Sequence, residues 1–186
     1  MNRFGLSVQP VIGSFAMTLA TNRIQLRAWK PGDEASLIKH ANNRKVSINL
    51  RDRFPFPYTM KDAEWWIGFA GKPDPVLNFA IEFQGEAVGG IGLMLGEDIY
   101  RRSAEIGYWL GEAHWGEGIM TEALKLVTPY AFQTFDLTRV YAGVFDWNPA
   151  SGKVLEKAGY TLESRMKKSV VKDGQVLDQL MYVMTR

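Results

Sequence analysis

The stretch AEIGYWLGEAHWGEGIMTEAL, residues 104–124, decides the fold. Its first part, within SAEIGYWLG at about 103–111, alternates and reads as a strand. Its last part opens an amphipathic helix expected from Glu117 to roughly Phe132. Between them, WGEGIMTE at 115–122 sets Gly116 and Gly118 at the mouth of that helix. Such a turn is rich in main-chain N–H groups and, with the positive helix end, holds phosphate oxygens. It points to a phosphate-bearing cofactor, gripped by the N–H groups of about Gly116 to Met120 with the Glu117 carboxylate turned outward. A plainer reading stands beside it: glycine breaks the strand, and Glu117 favours the first helical turn. The segment carries neither GxGxxG nor GxxxxGKS, so dinucleotide and P-loop readings lose their specific support.

Upstream, RIQLRAW (23–29) alternates and is the first expected strand, closed by Pro31 and Gly32. Asp33 caps a helix running to about Asn43. LRDRFPFPYTM (50–60) combines three aromatics with two prolines and is a loop. Thr59 caps a helix near 60–69 that carries Trp65 and Trp66, and Thr59-x-x-Asp62 resembles a capping box. LNFAIEF (77–83) and AVGGIGLML (87–95) are strands joined by the hairpin turn QGEA (84–87). Downstream, Thr138–Val144 is the next strand, and Asn148-Pro149 starts a helix that ends before Gly159. Residues 160–171 and 176–184 pair across KDGQ. The order β-α-α-β-β-β-α-β-α-β-β predicts an α/β domain with a mixed sheet and helices on its faces, without internal repeats. Residues 21–186 form that domain, and residues 1–20 precede it as an N-terminal arm.

Composition narrows the chemistry. A chain of 186 residues with 46% apolar content suits one sizeable core. Net charge is +2 with no long block of either sign, which argues against nucleic acid or an anionic membrane as partner. The absence of cysteine excludes thiolate metal sites and a cysteine nucleophile. Two histidines, His40 and His114, are too few for a multi-histidine metal site, so no metal is expected. No apolar run reaches the length of about 18 residues needed for a spanning helix. The N-terminal stretch is interrupted by Gln9, Pro10, Gly13 and Ser14 and does not read as a secretory signal, so a cytoplasmic protein is expected.

The chain resembles the GNAT acetyltransferase superfamily, in its ribosomal-protein N-acetyltransferase branch. Four segments carry the resemblance: IQLRAW, FPFPYTMKDAEWWI, residues 104–124, and LTRVYAGVFDWNPASGKVLEKAGY at 137–160. The resemblance implies one mixed, mostly antiparallel sheet of six to seven strands with helices on both faces. It implies acetyl-coenzyme A as donor and a primary amine as acceptor. It also implies that the strand bearing Tyr108, Trp109 and Leu110 splays from its neighbour, pairs with the pantetheine arm, and offers an amide near Leu110 to the thioester oxygen. One departure is visible in the phosphate turn. Trp115 stands where the family has Arg or Gln, and Met120 stands where it has Gly or Ala. Ile119 and Thr121 complete the expected cofactor turn.

Amide formation from a thioester needs an unprotonated amine. About a tenth of a free α-amine is neutral at pH 7, and much less of a lysine amine. Glu105, in a strand expected to be central, is the candidate base, acting directly or through water. Its alternative is an ion pair with Arg101, Arg102 or Arg139. Gly107, in mid-strand, predicts a bulge or a close approach. Asn148 and Ser151 read as cap and first-turn residues. By resemblance, Asn148 also contacts the pantetheine arm and Ser151 donates a proton to the departing thiolate. Lys153 and Lys157 either neutralise cofactor phosphates or form a solvated face. Arg51, Phe54, Phe56, Tyr58 and Trp66 are the candidate acceptor-binding residues, and an interface or a lid is their alternative.

The expected function is acetyl transfer to a small amine or a peptide or protein N-terminus, by direct attack in a ternary complex. A non-catalytic acetyl-coenzyme A sensor or scaffold, or transfer of a different acyl group, are the alternatives. Monomer and homodimer both remain open.

Overall fold

In the computed structural model, which describes residues 18–186 except residue 73, one eight-stranded sheet organises the chain. The strands are β1 (Leu19–Ala20), β2 (Ile24–Ala28), β3 (Asn78–Phe83), β4 (Glu86–Leu95), β5 (Ser103–Leu110), β6 (Arg139–Phe145), β7 (Thr161–Lys172) and β8 (Gln175–Thr185). Their spatial order is β1-β2-β3-β4-β5-β6-β8-β7. Every neighbouring pair is antiparallel except β5–β6, which is parallel. The helices are α1 (Glu34–Ala41), α2 (Arg44–Ser47), α3 (Met60–Ala70), α4 (Ile119–Thr134) and α5 (Pro149–Ala158).

Alternation along the strands distributes the apolar side chains to two cores. Phe79 and Ile81 of β3 join Ile106, Leu124, Val127, Val140 and Leu155 on the face covered by α4 and α5. Ala80, between them, faces the other way and packs with Trp29, Leu37, Ala63 and Ile67 under α1 and α3. The sheet therefore has helices on both faces, as the pattern predicts.

Several boundaries differ from the sequence reading. The eighth strand is β1, which pairs Leu19 with Leu26 and Ala20 with Gln25. Two residues carry no readable alternation. Most of the expected N-terminal arm lies outside the described residues, and its last two residues are this strand. The one-turn helix α2 follows an Asn43 cap whose side chain accepts from the Lys45 amide at 2.8 Å. Four residues are too few for a 3.6-residue period to show. Helix α4 begins at Ile119 rather than Glu117, because Gly118 takes the left-handed conformation with φ +83° and serves as the cap.

Thr59 forms the full capping box at the start of α3. Its hydroxyl accepts from the Asp62 amide, and the Asp62 carboxylate accepts from the Thr59 amide at 2.8 Å. The shorter Asp does what Glu ordinarily does in this motif. Those bonds hold the Asp62 carboxyl below its usual range. Thr59→Ala is expected to lower stability by about 1 kcal/mol, read from the denaturant midpoint. An unchanged midpoint would contradict the contribution of the cap. The contribution from Asp62 is present at neutral pH and is lost as pH falls through its depressed folded-state value.

Candidate active site

Strand β5 is paired unevenly on its two sides. With β4 it stays in register from Leu95↔Ala104 to Gly89↔Leu110. With β6 it pairs only at Ser103↔Arg139, Ala104↔Val140 and Glu105↔Tyr141. Beyond Glu105 the two strands part, while β6 continues along β8 through Phe145↔Gln179. The expected splay is present, and it starts at Glu105. The bulge considered at Gly107 is absent, since Gly107 sits opposite Gly92 in unbroken register. A Cβ built on Gly107 meets nothing within 4 Å, so the residue borders open space.

The exposed edge of β5 has a defined polarity. The Gly111 amide donates to the Val88 carbonyl at 2.8 Å, toward β4. Alternation along the strand then turns the amides of Ile106, Tyr108 and Leu110 toward the opening. The Trp115 indole N–H donates to the Leu110 carbonyl at 2.8 Å. Trp115 thereby ties the turn to the end of the strand.

At the wide end of the opening lies the glycine turn. Gly116 and Gly118 have φ of +81° and +83°, and a Cβ built on either meets nothing within 4 Å. Left-handed glycines on both sides of Glu117 are the kind of turn in which successive N–H groups can form an anion-binding concavity. The first N–H groups of α4 have no carbonyl earlier in the helix to bond. Arg23 braces the back of the turn, donating to the Glu117 carbonyl at 3.2 Å and to the Glu122 carboxylate at 2.5 Å. The Glu117 side chain is exposed and outside the cavity, as expected. Met120, on α4, is buried in the core and borders the cavity only at its edge of exposed surface.

One cavity of about 1250 Å³ runs from this turn, through the opening between β5 and β6, to the aromatic loop before α3. It is lined by all the predicted site residues except Phe56 and Glu117. Phe56 is exposed and carries the Arg44 guanidinium 5.8 Å from its ring centre, so it faces away from the cavity. Phe54 instead meets the Trp109 ring edge-on at 5.6 Å.

Alternation in β5 separates two sets of groups across the cavity. Ile106, Tyr108 and Leu110 lie toward α4 and α5, whereas Glu105 and Trp109 lie toward α1, α3 and the aromatic loop. On the first side, the Tyr108 and Ser151 hydroxyl oxygens are 2.7 Å apart. Burial holds the Tyr108 phenol well above its ordinary range, so it stays protonated. Ser151 is fixed by its helix start: its amide donates to the Asn148 side-chain oxygen at 3.3 Å. The Asn148 cap and Pro149 at the first helical position stand as the sequence predicts.

On the second side, the Arg51 guanidinium donates to the Glu105 carboxylate at 2.5 Å. The side chains are 49% and 20% exposed. The arginines considered from sequence are engaged elsewhere. Arg139 pairs with Glu163, Arg102 with Asp136, and Arg101 donates to the Asp98 carbonyl. The missed partner lies 54 positions away and enters from a loop. The Tyr108–Ser151 contact was equally unread, although the alternation of Tyr108 with Ile106 and Leu110 was the available signal. Tyr182 is buried beneath α5, with its hydroxyl donating to Glu156 at 3.3 Å. Among the described residues no group of acidic or histidine side chains forms a metal site.

Residues 23–161 match the acetyltransferase (GNAT) domain family. This chain belongs to that family. The solved GNAT acetyltransferase from Bacillus anthracis superposes with a TM-score of 0.78 at 21% identity, covering 91% of this chain and 98% of that one. Mycobacterium smegmatis RimJ, solved in complex with CoA-disulfide, superposes at 0.75 with 26% identity, covering 87% and 81%. The probable N-acetyltransferase YjcK of Bacillus subtilis is 49% identical over 73 residues, 39% of this chain and 40% of the relative. Matches to the first curated relatives thus span roughly half of their length or less. Within the GNAT match fall the glycine turn, the parted strands, Glu105 and Ser151.

Proposed function

We propose that this chain transfers an acetyl group from acetyl-coenzyme A to a primary amine, on a peptide or protein N-terminus or on a small molecule. The observation that carries the reading is the single cavity joining a left-handed glycine turn to the opening between β5 and β6. The residues fit coenzyme A on this chain's own geometry. The turn has open space at both glycines, the strand edge offers unpaired amides, and the CoA-disulfide held by the RimJ relative supports the same ligand class.

When bound, acetyl-coenzyme A supplies an acyl group already activated as a thioester. The amides of Gly116 to Met120 and the positive end of α4 would hold the diphosphate, with Lys153 adding charge from α5. The β5 edge and Asn148 would hold the pantetheine arm. The Leu110 amide would polarise the acyl oxygen with a fixed dipole. Glu105, across the strand, would accept the amine proton directly or through water.

Ser151 would donate a proton to the departing sulfur. Tyr108 positions it for that step. With the phenol donating in this contact, the serine's own proton would be free to point into the cavity. A thiol with an ordinary pKa near 8.5 leaves reasonably well without help, so the serine's contribution is moderate. Ser151→Ala is expected to lower turnover by about ten- to a hundredfold, at or below the low end for general acids, with unchanged acetyl-coenzyme A affinity. Unchanged thiol release would remove the serine from the chemistry. The reading as a whole is tested by calorimetry with acetyl-coenzyme A and by thiol release against a panel of peptides and small amines.

A further inference from the structure

Charges around the acceptor half of the cavity do not cancel. Lys45 is paired with Glu112, Lys172 with Asp52 at 2.7 Å, and Arg44 with Asp173. The Asp62 carboxylate is taken up by the Thr59 cap. That leaves Arg51 on Glu105, and Arg53, which lines the same cavity and makes no ion pair or hydrogen bond among the described residues. Two guanidiniums two residues apart therefore border the acceptor space, one of them unspent. Both stand on an anchored loop: the Phe54 amide bonds the Arg51 carbonyl at 2.9 Å, the Tyr58 amide bonds the Asn42 side chain at 3.0 Å, and Phe54 packs on Trp109.

The Arg51–Glu105 contact also has a chemical consequence. A carboxylate oxygen that accepts from a guanidinium at 2.5 Å is occupied, and an incoming amine must displace that donor to reach it. The Arg51 side chain is half-exposed, so it can leave the pair at low cost once it has another oxyanion to bind. Resting on the acetyltransferase reading above, we propose that Arg51 and Arg53 read an oxyanion, a carboxylate or phosphate, on the acceptor. As the oxyanion draws Arg51 away, Glu105 is uncovered for the amine that arrives with it. A polycationic acceptor would meet the unpaired guanidinium and is disfavoured.

Matched acceptors test this. Wild type is expected to use L-leucine about ten- to a hundredfold better in kcat/KM than L-leucinamide or isoamylamine, the worth of one charged hydrogen bond. Phosphoethanolamine against ethanolamine separates a phosphate requirement from a carboxylate one. In Arg51→Gln the ratio between charged and uncharged acceptors should collapse toward one, while Arg51→Lys should retain part of it. A binding measurement needs no turnover. Titration of protein saturated with coenzyme A by inorganic phosphate should show binding that weakens at least tenfold in the Arg51→Gln, Arg53→Gln double variant, about one charged hydrogen bond. Equal phosphate affinity in wild type and variant, or no preference for oxyanion-bearing acceptors, overturns the inference. Failure to bind coenzyme A, or to acetylate any amine, counts against the transferase reading instead. The phosphate difference still decides the role of the two arginines.

Discussion

Glu105→Gln is expected to lower acetyl transfer by about 10²- to 10⁴-fold, the range for loss of a positioned general base. The amide keeps the size of the carboxylate and a hydrogen-bonding oxygen, but it cannot take a proton from the amine. Acetyl-coenzyme A affinity should be retained, because Glu105 lies toward Arg51, on the opposite side of β5 from Tyr108 and Ser151. Steady-state turnover across pH, alongside calorimetry with the donor, separates the two effects. Glu105 is the base only if the variant is slow where the wild type is fast and binds the donor equally well. Arg51→Gln, assayed with an acceptor that carries no oxyanion such as isoamylamine, removes the Arg51 contact, leaves the carboxylate in place and so provides the control. A variant with wild-type turnover over the whole pH range would show that the amine loses its proton without Glu105.

Gly118→Val should remove coenzyme A binding almost completely. The residue sits at φ +83°, where a β-branched side chain is strained by about 1–3 kcal/mol. A Cβ there would also add bulk at the border of the cavity, where nothing beyond the adjoining backbone lies within 4 Å of it and the diphosphate would sit. Stability should fall modestly and donor affinity by far more, at least a hundredfold, roughly two or more lost hydrogen bonds to a charged group. Thermal denaturation without ligand measures the first and calorimetry the second. If both change only in proportion, the turn is a structural start for α4 and nothing more.

How much of this the sequence revealed depended on the range of the interaction. Several features set within four residues were readable: the Thr59–Asp62 box, the Asn148-Pro149 start, the Gly159 stop, and the hairpins at Gln84-Gly85 and Asp173-Gly174. Each follows from the local backbone preferences of those side chains. Asp33, by contrast, starts α1 without a side-chain cap, because its carboxylate is held by Arg27 and the Lys30 amide. Periodicity likewise located the long strands and α4, with an error of two residues at Gly118, because Glu117 reads as a good first-turn residue while the backbone of Gly118 decides the cap. The parting of β5 from β6 after Glu105 is a property of two strands more than 30 positions apart, and no residue in either announces it. It was expected from the family resemblance, not from the pattern. The partner of Glu105 was misread for the same reason: neighbours in sequence, Arg101 and Arg102, are directed to the Asp98 carbonyl and Asp136, and Arg51 arrives from a distant loop. Phe56 shows the limit for loops. Its composition suggested a pocket wall, and the turn sends Phe54 inward and Phe56 outward.

The central claim is that the turn at Gly116–Met120 and the open edge of β5 together form a coenzyme A site. A crystal structure of the protein with acetyl-coenzyme A tests it most directly. The diphosphate should lie within hydrogen-bonding distance of those main-chain amides, and the pantetheine arm should run between β5 and β6 beside Asn148. A diphosphate bound elsewhere, or an arm that leaves the Ile106–Leu110 edge untouched, would contradict it.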